Sequence, residues 1–94
     1  MKKRNLRIHV IISGKVQNVF FRQTLKTIAI KNNVRGWTKN LDDGSVEAII
    51  EGAYGNVFVV INWCHRDPAN AIVEKVKTKS EKYTGKFKTF DVLY

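Results

Sequence analysis

The hydrophobic period of this chain changes from strand-like to helical within its first thirty residues, and that change constrains the fold most. Apolar residues alternate at Ile8, Val10 and Ile12, which is the period of a strand with one buried face. From residue 21 onwards the apolar side chains fall on one face of a helix, namely Phe21, Leu25, Ile28 and Ala29. The pair Asn32-Asn33 marks the end of this helix, because Asn tolerates the left-handed conformation found at helix ends. The chain therefore begins with a strand followed by a helix.

The later segments predict further strands. Residues 34–40 form a second one, and residues 41–44 carry the Asp-Gly signal of a tight hairpin. Alternation over residues 46–51 predicts the third strand. Residues 72–82 are also strand-like, with Val73 and Val76 on opposite faces, and residues 87–94 are extended again after a turn.

The segment 55–66 fits two patterns. Val57, Val60, Ile61 and Cys64 have helical spacing, whereas residues 58–61 favour strands. A strand here would leave a single helix facing a sheet that it cannot cover, so we interpret the segment as a helix. The order is then βαββαβ with a further C-terminal strand, an α+β ferredoxin-like sandwich whose antiparallel sheet is covered on one face by two helices. We expect one domain over residues 7–94, preceded by a basic tail over residues 1–6.

The charge and cysteine content limit the environment of the protein. Seventeen Lys and Arg residues against eight Asp and Glu give a net charge of +9, which favours anionic partners without choosing among them. Cys64 is the only cysteine, so no internal disulfide can form and a reducing compartment is favoured. Arg7 and His9 interrupt any signal-peptide core, and the apolar run at residues 57–61 is far shorter than the ~20 residues needed to span a bilayer. We predict a cytoplasmic protein that does not enter a membrane.

The segment from Gly14 to Arg22 links the first strand to the first helix and is the most informative for chemistry. Consecutive amides in such a loop can form an anion-binding nest, to which a helix N-terminus adds its positive end. Arg22 stands at that helix start, and its planar fork of donors suits bidentate phosphate binding. No Walker loop occurs, so nucleoside triphosphate binding is not implied.

Two motifs in this chain resemble those of the acylphosphatase family. Gly14-Lys15-Val16-Gln17 followed by Val19-Phe20-Phe21-Arg22 is similar to the signature G-[RK]-V-Q-G-V-x-F-R, and Gly36-Trp37-Thr38-Lys39-Asn40 is similar to G-W-V-x-N. The hairpin at residues 43–46 follows the second motif as it does in the family. The resemblance covers roughly residues 7–94.

The resemblance implies an enzyme that hydrolyses acyl phosphates to a carboxylate and inorganic phosphate, without metal or cofactor. Arg22 would hold the substrate phosphate, and Asn40 would position the attacking water. The phosphate-binding loop implied by the resemblance comprises Lys15, Val16, Gln17, Asn18, Val19 and Phe20. Asn18 stands where the family usually has glycine; because Asn also tolerates positive φ, we expect the loop to keep its shape.

Other readings and residues carry weaker signals. An inactive phosphate-binding relative is one alternative, and a basic RNA-binding ferredoxin-like module is another, although the second aromatic of an RNP1-like segment is missing after Trp37. Glu47, Glu51 and Glu74 are expected to be solvated, and they do not cluster as magnesium ligands do. We expect a monomer that binds small acyl phosphates and, as product or inhibitor, inorganic phosphate, with no nucleic-acid partner. Because a shallow cradle contacts mainly the phosphate, broad acceptance of the acyl part is also expected.

Overall fold

The computed structural model describes residues 4–17, 20–66 and 70–94, and its elements follow the predicted order. In chain order they are β1 (Asn5–Lys15), α1 (Phe21–Lys31), β2 (Arg35–Asn40), β3 (Val46–Ala53), α2 (Tyr54–Cys64), β4 (Ile72–Glu81) and β5 (Phe90–Leu93). The helix predicted over residues 55–66 is confirmed. No helix in these described ranges is long and apolar enough to cross a membrane.

The strands form one sheet in the order β4-β1-β3-β2-β5. The pairs β1–β3, β1–β4 and β2–β3 are antiparallel, as the ferredoxin-like fold requires. The C-terminal strand pairs parallel with β2, so the complete sheet is mixed. β4 is antiparallel to β1 and so runs opposite to β2, and a chain that reverses direction after β4 therefore runs parallel to β2.

Both helices cover the same face of the sheet and enclose the core. The helical core residues are Phe21, Leu25 and Ala29 of α1 and Val57, Val60, Ile61 and Cys64 of α2. The sheet contributes Ile8, Val10, Ile12, Val46, Ala48, Ile50 and Phe90. Burial raises the pKa of the Cys64 thiol to about 12, so this cysteine is a small core residue in its thiol form.

The first strand begins earlier than the domain boundary predicted at residue 7. Asn5 pairs with Ala53, and the partly buried Leu6 packs against the core. Residues 5 and 6 therefore belong to the sheet and not to a tail, because the alternation of β1 extends to them. The extent of the domain as a whole stays a prediction.

A β-bulge changes the predicted alternation of β4. The register between β1 and β4 shifts between Ser13 and Gly14, so that Val73 and Val76 both pack against the core. Gly14 has a φ of 125°, and a Cβ on it would overlap the carbonyl oxygen of Ile72. Only glycine allows this close approach of the two strands, which is why the strict alternation predicted for residues 72–82 is wrong at this position.

Glu51 lies on the sheet face that the helices leave open, yet it is only 2% exposed. Its carboxylate accepts hydrogen bonds from Arg7, from the amide and hydroxyl of Thr84, and from the amide of Gly85. The solvated position predicted for Glu51 is wrong, because the segment after β4 folds over this face and supplies these donors. Burial acts to raise the pKa of Glu51, but the hydrogen bonds from Thr84, Arg7 and Gly85 outweigh it and hold that pKa below its usual range.

We expect Glu51→Gln to lower the free energy of unfolding at pH 7 by about 1.5–3 kcal/mol, the range typical of hydrogen bonds to a charged group. Because the pKa of Glu51 is lower in the folded than in the unfolded state, its stabilisation is present above the unfolded pKa, ordinarily 4.5, and is lost as the pH falls through the folded pKa. Urea unfolding between pH 7 and pH 3 should therefore show a difference between parent and variant that shrinks below pH 4.5.

Glu74→Gln is the matched control, because Glu74 is an exposed glutamate of β4. We expect it to leave the unfolding free energy nearly unchanged at both ends of this pH range. A Glu51→Gln effect no larger than that of the control, or one that persists undiminished at pH 3, would contradict the role given to Glu51.

Candidate functional site

The ends of four strands lie side by side at one end of the sheet, and this end carries the candidate site. Val46 at the start of β3 pairs with Ile12 of β1 on one side and with Asn40 of β2 on the other. Lys39, the residue before Asn40, pairs with Leu93 of β5. The carboxyl ends of β1, β2 and β5 therefore face the same way, and neighbouring strands of a sheet lie only about 4.8 Å apart.

The predicted phosphate-binding loop leaves this end of the sheet directly after β1. Lys15 is the exposed last residue of β1, and Val16 is buried in the core. The side-chain amide of Gln17 donates to the carbonyl oxygens of Leu41 and Ser45, both at 2.9 Å. These two bonds tie the start of the loop to the hairpin that follows Asn40. Asn18 and Val19 lie outside the described residues.

The loop ends at Phe20, the N-cap residue just before α1, which has an unusual conformation. Its φ of 58° is left-handed, and its side chain forms no capping hydrogen bond. The first turn of α1 also contains no acidic residue. Since the first amides of a helix have no partner within it, and the described residues supply neither a side-chain cap nor an acidic group here, the positive N-terminal end of α1 suits an anion.

Arg22 is held at this helix start by the last two residues of the chain. Its Nη1 donates to the carbonyl oxygen of Leu93 at 3.2 Å, and its guanidinium carbon lies 4.9 Å from the centre of the Tyr94 ring. The hydroxyl of Tyr94 in turn accepts a hydrogen bond from Gln23 at 3.1 Å. Because a guanidinium has five N–H donors, most of those of Arg22 stay available to an anion.

Asn40 lies at the end of β2, and its side-chain oxygen is buried. Its Oδ1 is buried and has no hydrogen-bond partner among the described residues. A buried amide oxygen without a partner costs roughly 1–3 kcal/mol, so its retention needs an explanation. A bound water or ligand donor at this point would satisfy it.

A cavity of about 410 Å³ opens beside Arg22. Its lining residues are Val16, Phe20, Phe21, Arg22, Gln23 and Tyr94. Arg22 has the only charged side chain in that set, so the cavity combines one cation with mainly apolar walls. Within the described ranges, no group of three or more His, Cys, Asp or Glu side chains is arranged to hold a metal ion.

Comparison with known proteins identifies the family. The Acylphosphatase family model matches residues 8–92, which include both sequence motifs. The chain belongs to the acylphosphatase family. It is 46% identical over 88 residues to an acylphosphatase of Syntrophus aciditrophicus, with 94% of this chain and 92% of the relative covered. It is 47% identical over 88 residues to an acylphosphatase of Pyrobaculum aerophilum, with 93% of each covered.

The fold agrees with that of solved acylphosphatases. The structure of an acylphosphatase from Coxiella burnetii matches with a TM-score of 0.90 at 32% identity, and the match covers 99% of both chains. The ferredoxin-like fold predicted from the sequence is therefore confirmed, including the additional C-terminal strand.

The sequence patterns of this acylphosphatase-family chain did not predict which residues contact Arg22. Leu93 and Tyr94 contact an arginine 71 and 72 positions earlier, and no local pattern reports such a contact. The alternation of Phe90, Val92 and Tyr94 was the only available signal, since it puts Tyr94 on the same face as Phe90, which is a core residue. The bonds from Gln17 to the hairpin were equally invisible, although Gln17 itself belongs to the predicted loop.

We expect Gln17→Ala to weaken the binding of inorganic phosphate by about 5- to 100-fold. It removes two hydrogen bonds of roughly 0.5–1.5 kcal/mol each and leaves the loop free to move away from the hairpin. Isothermal titration with phosphate measures the change, and Asn62→Ala on α2 is a control that removes an exposed amide from outside the loop. Equal phosphate affinity in the parent and in Gln17→Ala would show that the tie does not shape the site.

Proposed function

We propose that this protein hydrolyses the carboxyl–phosphate anhydride of acyl phosphates by direct attack of water on phosphorus. Family membership and full-length relatives named acylphosphatase support the reaction class. The observation that carries the mechanism is the buried Oδ1 of Asn40, which has no hydrogen-bond partner within residues 4–17, 20–66 and 70–94 and lies one strand away from the carbonyl that holds Arg22.

In this proposal Arg22 and the loop amides of residues 15–20 bind the phosphate. Attack at phosphorus spreads negative charge over the equatorial oxygens, and fixed N–H donors together with a guanidinium stabilise that charge. The left-handed start of α1 and the absence of an acidic residue in its first turn support this role, because both leave the helix N-terminus open to an anion.

Asn40 would position the attacking water. An amide oxygen is not a base near neutrality, but it accepts a hydrogen bond and can orient a water in line with the leaving group. The unsatisfied Oδ1 has the burial that such a role needs, since competing bulk water is excluded from it. The proton of the water would pass to a phosphate oxygen of the substrate.

The leaving group needs little assistance. A carboxylate is a stable anion, so the carbon side of the anhydride departs without a general acid. The described residues that line the cavity beside Arg22 include no His, Cys or carboxylate side chain, which fits a reaction driven by binding and orientation. We therefore propose a metal-independent reaction.

The remaining expectations complete the proposal. Inorganic phosphate would bind the same donors as product or competitive inhibitor, and the protein would act as a monomer in the cytoplasm without a nucleic-acid partner. The single buried thiol of Cys64 is compatible with a reducing compartment.

Arg22→Ala and Asn40→Ala test these roles in the hydrolysis of benzoyl phosphate with excess chelator. We expect Arg22→Ala to lower kcat by about 10²–10³, since one preorganised donor contributes about 2.7–4 kcal/mol to transition-state stabilisation. We expect Asn40→Ala to lower kcat by about 10² or more, because it removes the acceptor that would orient the attacking water. Arg35→Ala and Asn62→Ala are matched controls, because both side chains are exposed and lie outside the cavity. We expect the controls to retain the parent rate.

Two results would reject parts of the proposal. A parent that binds phosphate but does not cleave benzoyl phosphate would favour the inactive phosphate-binding alternative. A parent that is active only without chelator would reject the metal-independent mechanism.

A further inference from the structure

The cavity beside Arg22 is larger than a phosphate group requires, and two exposed aromatic rings form its walls. We infer that this cavity binds the acyl group and that Phe20 selects aromatic acyl phosphates over short aliphatic ones. The inference rests on the proposed function for the location of the phosphate, and it replaces the broad acceptance predicted from the sequence with a defined preference.

The size of the cavity leaves room for an acyl group. A phosphate has four oxygens, and at about 30 Å³ for each water-sized group it fills on the order of 120 Å³. The cavity holds about 410 Å³, so most of its volume lies beyond the phosphate. This value is at the lower end of the ~300–1,000 Å³ found for small-molecule sites, which suits a single aromatic ring and its carbonyl group.

Phe20 lines the cavity and is not part of the core. Its ring is 81% exposed, and its backbone is left-handed, a conformation that bulky residues rarely adopt. The next residue, Phe21, is buried and packs against Trp63 with ring centres 5.3 Å apart. The protein therefore uses one phenylalanine for the core and presents the other to the cavity.

Tyr94 provides a second wall that is exposed but positioned. Its side chain is 94% exposed, yet the ring lies against the Arg22 guanidinium and the hydroxyl accepts a hydrogen bond from Gln23. An aromatic acyl group next to Arg22 would therefore meet a ring that already has two contacts within the chain, and such contacts reduce the entropic cost of ordering it on binding.

The polarity and position of the cavity agree with an uncharged acyl group. Arg22 carries the only charged side chain of the lining set and is assigned to the phosphate, so the remaining walls offer no partner for a second charge. Asn40 is absent from the lining set. In an in-line attack the water and the leaving group lie on opposite sides of the phosphorus, so a cavity for the acyl group need not include the residue that orients the water.

The test compares kcat/KM for benzoyl phosphate and acetyl phosphate. Each aromatic contact favours a ring by roughly two- to tenfold beyond simple burial, so we expect the parent to prefer benzoyl phosphate by at least tenfold. Phe20→Asn removes the ring but tolerates the left-handed backbone, and it should reduce the benzoyl-to-acetyl ratio at least threefold. Phe20→Tyr retains a ring and should preserve the ratio.

Phe58→Asn is the matched control, because Phe58 is also an exposed phenylalanine, on α2 and outside the cavity. It should leave the ratio unchanged. An unchanged benzoyl-to-acetyl ratio in Phe20→Asn, with or without an equal loss of kcat/KM for both substrates, would overturn the inference and leave the proposed function standing.

Benzoylphosphonate and acetylphosphonate have a carbon–phosphorus bond in place of the anhydride link and are not hydrolysed there. Titration with these two compounds separates the inference about the acyl group from the proposed function. A parent without hydrolytic activity that still binds benzoylphosphonate more tightly, with the preference lost in Phe20→Asn, would reject the proposed function and retain the inference. Equal affinity for both phosphonates would reject the inference whether or not the parent is active.

Discussion

The pairing of Val46 with both Ile12 and Asn40 determines where the candidate site forms. β3 runs opposite to β1 and β2, so its first residue lies beside the carboxyl ends of both neighbours. The loop after β1 and the hairpin after β2 consequently leave the sheet at the same end. A shift of one residue in either pairing would reverse the face on which each side chain lies, which the buried inner face does not permit.

Polar contacts then fix the segments that this register brings together. Gln17 ties the loop to the hairpin on one side of the site, and Arg22 is held by the end of β5 on the other. Both side chains contact backbone carbonyls, whose positions depend on the sheet itself. The positions of Gln17 and Arg22 in the candidate site therefore depend on the sheet.

Glu51 has a comparable function at the far side of the sheet. Its hydrogen bonds to Thr84 and Gly85 hold the segment that carries the chain from β4 towards β5. Because β5 supplies the carbonyl that holds Arg22, the placement of this segment is linked to the site through the strand order. A buried carboxylate on the open sheet face is thus linked to the position of Arg22 at the opposite end of the sheet.

Local sequence patterns predicted most of the fold, because the hydrophobic period distinguishes strands from helices within ten residues or so. The helix at Tyr54–Cys64 needed an argument from coverage of the sheet, since the β-branched run at residues 57–61 favours a strand locally. Three features could not be predicted, namely the parallel direction of β5, the bulge at Gly14 and the burial of Glu51. Each depends on contacts between segments distant in sequence.

The candidate site was accessible to sequence reasoning only through its motifs. Residue types and spacing placed Arg22 beside a loop suited to anions, and the family resemblance added Asn40 from a different strand. The unsatisfied Oδ1 of Asn40 and the aromatic walls at Phe20 and Tyr94 required coordinates, since burial and exposure are properties of the packed chain.

The central claim is that phosphate binds at the end of the sheet where β1, β2 and β5 terminate. An amide-resolved NMR titration of the unmodified protein with inorganic phosphate tests it most directly. The account predicts that the largest shifts fall on the backbone amides of residues 15–22 and on the side-chain amide of Asn40. Shifts concentrated on the exposed lysines of β4, at residues 75–79, with none in the loop, would contradict it.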